Sequence, residues 1–283
     1  MTGRITHTAP AVFGLAIAGL VAGPSSTPPV WGPSDEGTWK TPPGESVHYT
    51  CYGVGSPVII LEAGTDSGGS EQYSRTFLEP LAERTTTCVY DRLGTGASDA
   101  PLDPSRTLDD TRMVLEGLLA ATGWPAPYLL VGQSGGGNLQ IDFAAHHPDE
   151  VAGLVLIEAY HDDPEMMAAW QEEEGFEWTD NAEHVDWYDG SVRLDELPLP
   201  VGDFPVLVMT ATDADEGNVE NQAYWLGISP DSEQVVIEGS HNLHEDDPGR
   251  VTDLILGMVD RLRPLVSDAD VGEVATTTDV GAQ

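Results

Sequence analysis

One lysine, Lys40, stands in a chain of 283 residues, and Lys and Arg together number 11 against 48 Asp and Glu. The formal charge of −37 repels phosphate backbones and anionic lipid, which makes nucleic acid and acidic membranes poor partners. Long apolar runs are missing as well. The most apolar stretch, Ala11–Ala22, is too short for a spanning helix, which needs ~20 apolar residues. Cysteine is scarce: Cys51 and Cys88 belong to no CxxC pair, and no His/Cys cluster has zinc-site spacing, so the sequence supports no metal. Two causes fit the acidity. One is adaptation to high salt, where self-repulsion is screened over a Debye length of ~3 Å at 1 M, and the other is solubility outside the cell.

The beginning of the chain reads as an export signal. Arg4 supplies a small positive region, Ala11–Ala22 an apolar one, and Val21-Ala22-Gly23 the small residues that cleavage requires. Residues 1–28 are therefore expected to be a signal peptide or leader, followed by a Pro/Gly-rich tether over 29–43. This implies a secreted, extracellular protein; the alternative is a cytoplasmic one with a disordered leader. Cys51 and Cys88 lie in strand-like runs, His48–Tyr52 and Thr86–Tyr90. In an exported chain they are expected to form one disulfide, and in a cytoplasmic one two buried thiols.

Apolar strand-like segments alternate with helical ones, the pattern of an α/β fold with a mostly parallel sheet and helices on both faces. Strands are expected at Pro57–Glu62, Thr86–Tyr90, Tyr128–Val131, Gly153–Ile157, Phe204–Met209 and Gln234–Ile237. Helices are expected at Phe77–Arg84, Leu108–Thr122, Asn138–His146 and Arg250–Arg263, with Gly123 closing the second. The core then occupies 44–160 and 204–266, and 267–283 is a polar tail. Between them the alternation fails over 161–203. This stretch holds Trp170, Trp178 and Trp187, 14 acidic residues and only Arg193 as a base. Tryptophans seldom stay exposed without reason, so a helical lid insertion over the carboxyl edge of the sheet is expected.

The most informative residues are Val131–Gly136, V-G-Q-S-G-G, which satisfy G-x-S-x-G, a serine on a sharp strand-to-helix turn. Ser134 is the candidate nucleophile. A serine hydroxyl needs a base, and His241 is preferred because it follows strand Gln234–Ile237 in a loop at the carboxyl end of the sheet. His244 is its neighbouring rival. For the carboxylate that orients the imidazole, Asp213 after Phe204–Met209 is preferred, with Asp215 and Glu158 as alternatives. Oxyanion donors are expected from the backbone of Gly135 and of Thr65, with Gly64 and Asp66 as alternatives to Thr65.

Together with L-E-A-G at Leu61–Gly64, Y-D-R-L-G-T-G-A-S-D at Tyr90–Asp99 and G-S-H-N-L-H-E-D-D-P at Gly239–Pro248, these residues resemble the α/β-hydrolase superfamily, in particular small exported hydrolases with a lid. The resemblance spans residues 48–263. It implies an eight-stranded sheet in which only the second strand is antiparallel, and an order Ser…acid…His. Three departures stand out: Ala63-Gly64 replaces a His-Gly, Ser240 replaces the glycine before the histidine, and Ala214 occupies the usual place of the acid. Relatives with an aspartate nucleophile open epoxides or remove halide, which Ser134 disfavours. What the resemblance leaves is a serine hydrolase, expected to be a carboxylic ester hydrolase acting on a small acyl substrate through an acyl-enzyme, without a cofactor. A proline-releasing aminopeptidase on the same fold is the second reading, and a non-catalytic binder on a hydrolase scaffold the third.

Overall fold

The computed structural model describes residues 31–175, 177–213 and 218–269. The expected leader over 1–28 lies outside them, as do Asp215 and the tail beyond residue 269. The strands are β1 Asp35–Lys40, β2 Ser46–Tyr52, β3 Ile59–Glu62, β4 Thr87–Tyr90, β5 Tyr128–Gln133, β6 Val151–Ile157, β7 Val206–Ala211 and β8 Ser232–Ile237. The helices are α1 Gly69–Gln72, α2 Arg75–Ala82, α3 Leu108–Thr122, α4 Gly135–His146, α5 Pro164–Glu174, α6 Trp187–Asp195, α7 Asn218–Gln222, α8 Leu243–Asp246 and α9 Pro248–Ala269.

The eight strands form one sheet in the order β1-β2-β4-β3-β5-β6-β7-β8. β2 is antiparallel to both its neighbours, and all other pairs are parallel. Every residue of β3, β4, β5 and β7 is buried, as continuous apolar strands covered on both faces require. Among the described residues no helix is long and apolar enough to cross a membrane.

One expectation needs revision. Asp35–Lys40, expected within a foldless tether, is edge strand β1. Its anchor is Trp39, whose ring lies so close to Gly117 of α3 that a Cβ there would be 2.3 Å from it. In α3 the buried face is Leu108, Thr111, Leu115, Leu118 and Leu119, whereas the apolar residue Met113 is exposed. Gly123 closes α3 at φ 68°, as the sequence suggests, and at its start Thr107 and Asp110 form a capping box.

Cys51 and Cys88 face each other across β2 and β4 and are disulfide-bonded, with 37 residues of sequence separation. Closing a loop of that length restricts the unfolded chain. The double variant Cys51→Ala/Cys88→Ala is expected to lose about 2–4 kcal/mol of stability, measured by denaturant unfolding against the oxidised protein.

Candidate active site

β5 runs straight into the turn at Ser134, whose backbone takes φ 53° and ψ −131° before α4 begins at Gly135. A non-glycine residue in this region carries roughly 1–3 kcal/mol of strain, which the surrounding hydrogen bonds must hold in place. Ser134 N–H donates to Ile157 O at 2.9 Å, and Gly137 N–H donates to Ser134 O at 2.8 Å. The two motif glycines exist for close approach. A Cβ on Gly132 would sit 2.5 Å from Gly136 O, and one on Gly136 would sit 2.2 Å from Ala63 O. Strand, turn and helix therefore pack backbone to backbone, and the serine side chain projects from the bend.

Ser134 Oγ lies 3.0 Å from His241 Nε2. On the other side of the ring, His241 Nδ1 is 3.2 Å from Glu158 Oε2. Glu158 follows β6, also at positive φ (53°), and is fully buried. Its second oxygen accepts from Ala211 N–H at 2.5 Å, Asn218 Nδ2 at 3.1 Å and Gln222 Nε2 at 3.0 Å. Burial alone raises the pKa of such a carboxyl. The hydrogen bonds from His241, Ala211, Asn218 and Gln222 outweigh that and hold it below the ordinary glutamate value.

The carboxylate brought to His241 is thus Glu158 and not Asp213, the residue preferred on sequence grounds. Asp213 is exposed, and among the described residues its carboxylate accepts only from the neighbouring Thr212 hydroxyl at 3.0 Å. What Asp213 supplies is backbone: its N–H donates to Gly239 O at 3.0 Å, fixing the turn that leads to His241. The rival histidine, His244, is buried edge-on against Tyr73 and Phe77 at ring distances of 5.7 and 6.3 Å. Desolvation lowers its pKa and keeps it neutral.

Opposite the elbow lies the loop after β3. Gly64 N–H is taken by Gln72 Oε1 and Asp66 N–H by Glu183 Oε1, both at 2.8 Å. Thr65, between them, has no acceptor for its amide among the described residues, and neither does Gly135. The two amides expected to face an oxyanion are the ones left uncommitted. Gly135 and Thr65 are also close in space, since a Cβ on Gly135 would lie 2.4 Å from Thr65 Oγ1.

This loop is held by Arg92, which is 1% exposed. Its five N–H donors are all used. Nη1 donates to Glu62 Oε1 and Ala63 O, and Nη2 to Gly64 O and Glu183 Oε1, each at 2.7 Å; Nε donates to Glu183 Oε2 at 2.5 Å. Burial alone would lower the pKa of the guanidinium, but the Glu183 and Glu62 carboxylates raise it well above the ordinary value. Asp91, next in sequence, accepts from Ser70 N–H and Ala97 N–H, both at 2.9 Å. Gly96 leaves room for it, because a Cβ there would be 2.4 Å from the Asp91 carboxyl carbon. The segment Tyr90–Asp99 is therefore the brace behind the β3 loop.

Sequence reasoning missed Arg92, Glu62, Glu183, Gln72 and Gln133 as site supports. Gln72 Nε2 donates to Gln133 Oε1 at 3.3 Å, and Gln133 Nε2 donates to His241 O at 3.2 Å, linking the β3 loop to the histidine loop. Gln133 carried a signal in its place beside Ser134, and Glu62 and Arg92 in theirs within L-E-A-G and Y-D-R-L-G-T-G-A-S-D; Gln72 and Glu183 carried none. Two cavities meet at Thr65 and Ser134. One, of about 420 Å³, is bordered by Glu71, Gln72, His241 and Glu245. The other, of about 170 Å³, is bordered by Asn138, Tyr160, Asp162, Trp170, Trp178 and Trp187. All three tryptophans of the 161–203 segment thus face the nucleophile.

Residues 56–176 match the family described as alpha/beta hydrolase fold. Together with the sheet order above, this shows that the chain has the α/β-hydrolase fold. Among curated proteins it is similar to the "Putative carbamate hydrolase RutD" of Caulobacter vibrioides, 32% identical over 123 residues, covering 41% of this chain and 43% of that protein. The chain thus spans less than half the length of the curated relatives it matches. Among solved structures it resembles a thermophilic esterase from Thermogutta terrifontis, with TM-score 0.63 and 21% identity over 81% of this chain and 99% of that one. It also resembles the enol-lactonase from Burkholderia xenovorans, with TM-score 0.59 and 18% identity over 76% and 97%. These structural likenesses concern the fold.

Replacing Arg92 by Met strands Glu62 and Glu183 as unpaired buried acids. The expected loss is about 3–5 kcal/mol of unfolding free energy in a denaturant titration. Arg92→Lys, with three donors instead of five, is expected to recover only part of it.

Proposed function

We propose that the protein is a serine hydrolase of ester-like acyl substrates, with Ser134 as nucleophile, His241 as general base and acid, and Glu158 as the carboxylate that orients and stabilises the imidazolium. The observation that carries this reading is the unbroken relay from Ser134 Oγ to His241 Nε2 at 3.0 Å and from His241 Nδ1 to Glu158 Oε2 at 3.2 Å. His241 accepts the hydroxyl proton as Oγ attacks the substrate carbonyl. The oxyanion is received by the amides of Thr65 and Gly135, each worth about 3–4 kcal/mol in comparable sites. His241 then returns the proton to the leaving oxygen, and water releases the acyl group from Ser134 by the same steps in reverse order of proton transfer.

Glu158 serves where many sites use an aspartate after β7, because it leaves the neighbouring strand at a positive φ that turns its longer side chain toward the histidine. The Cys51–Cys88 bond, buried in the sheet, favours export to an oxidising compartment.

A fluorophosphonate probe is expected to label the protein at Ser134, identified by peptide mapping, and to leave Ser134→Ala unlabelled. On p-nitrophenyl acyl esters, Glu158→Gln is expected to lower kcat on the order of a thousandfold to ten-thousandfold. Asp213→Asn is expected to stay near wild type. The reverse pattern would return the acid role to Asp213.

A further inference from the structure

Building on the serine-hydrolase reading, we propose that the acyl group processed here carries a protonated amine, which is held in the smaller cavity by Asp162, Asn138 and the tryptophan walls. Asn138 is 4% exposed; its Nδ2 donates to Asp162 Oδ2 at 3.3 Å, while its Oδ1 has no partner among the described residues. A buried amide oxygen without a donor is rare in folded proteins and marks a place for a ligand N–H. Asp162 receives only that one long hydrogen bond from a neutral group, and no Lys, Arg or His among the described residues pairs with it. Desolvation pushes its carboxyl up to about 6, so near neutral pH the cavity holds a half-buried anion without a counter-charge.

The walls complete the preference. Trp170 and Trp178 stand edge to face, with centroids 6.1 Å apart and planes at 70°, and Trp187 and Tyr160 border the same space. Indole faces attract a desolvated cation, most of all where a carboxylate lies beside it. A purely aliphatic acyl group would leave both oxygen acceptors unmet. A carboxylate-bearing one would meet Asp162 with like charge. The formal charge of −37 adds a field that concentrates cations at the surface.

Pairs of p-nitrophenyl esters that differ only in NH₃⁺ for CH₃ test this: glycinate with propanoate, β-alaninate with butanoate, and γ-aminobutyrate with pentanoate. Rates are normalised to the hydroxide reaction and corrected for Ser134→Ala. At least one cationic ester is expected to exceed its neutral partner in kcat/KM by about tenfold or more. Asp162→Asn is expected to bring that ratio close to one, and Asp162→Glu to restore part of it. Binding is read separately by tryptophan fluorescence, where n-butylammonium is expected to perturb the signal at concentrations at which n-butanol does not. Ratios near one throughout, with no difference between the two additives, would overturn the proposal while fluorophosphonate labelling of Ser134 still upheld the hydrolase. If Ser134 neither labels nor turns over any ester, the hydrolase reading falls, and the fluorescence titration decides the ammonium site by itself.

Discussion

The guanidinium of Arg92 is the interaction on which the site most depends. It is a buried cation whose donors are divided among two loop carbonyls and two carboxylates. The carbonyls of Ala63 and Gly64 belong to the loop whose next amide, Thr65, remains uncommitted. Glu62 closes the strand before that loop, and Glu183 comes from the segment between β6 and β7. One planar group thus fixes two pieces of chain that are far apart in sequence, residues 62–64 and Glu183. A lysine, with a single charged nitrogen, cannot span that geometry. The elbow adds its own constraint, for the backbone of Gly136 packs against the carbonyls of Glu62 and Ala63. Strain at Ser134 is sustained because the loop it leans on is itself immobilised.

Much of this was legible in the residues. Alternating apolar and helical segments marked the sheet, and Gly123 marked the end of α3. Ser134 was visible because only a strand, a small-residue turn and a helix produce G-x-S-x-G in that setting. His241 was visible because it follows the last strand. The acid was hidden for a physical reason. In a chain with 48 carboxylates, position relative to a strand end singles out several, and the deciding feature is backbone. Glu158 leaves β6 at φ 53°, a conformation no composition or period announces, while Asp213 spends its amide on the turn and its side chain on Thr212. Strand β1 escaped notice because an edge strand of mixed polarity, DEGTWK, is held by one tryptophan and not by a repeating pattern.

The acidity of the chain has two faces. Most carboxylates lie on the surface, but a few are interior: Glu62, Asp91, Glu158 and Glu183 are all fully buried. Each of these four is met by several donors from backbone, guanidinium, hydroxyl or amide groups, as a buried charge requires. Asp162, at the edge of the aromatic cavity, is the exception in kind, a carboxylate facing space with one amide for company. Composition alone gives the same letter to all five. Their surroundings divide them: Glu62, Asp91 and Glu183 brace the β3 loop, Glu158 meets His241, and Asp162 borders the aromatic cavity.

Glu183 also ties the 161–203 segment to the loop beside the elbow. It is pinned under Arg92, and next to it Ala182 N–H donates to Asp66 Oδ1 at 3.0 Å. The 161–203 segment, held near its midpoint, cannot lift as one piece without parting the buried Glu183 from Arg92. The tryptophan-lined cavity is bordered on both sides of that anchor, by Met166 and Trp170 of the helix Pro164–Glu174 before it and by Trp187 after it.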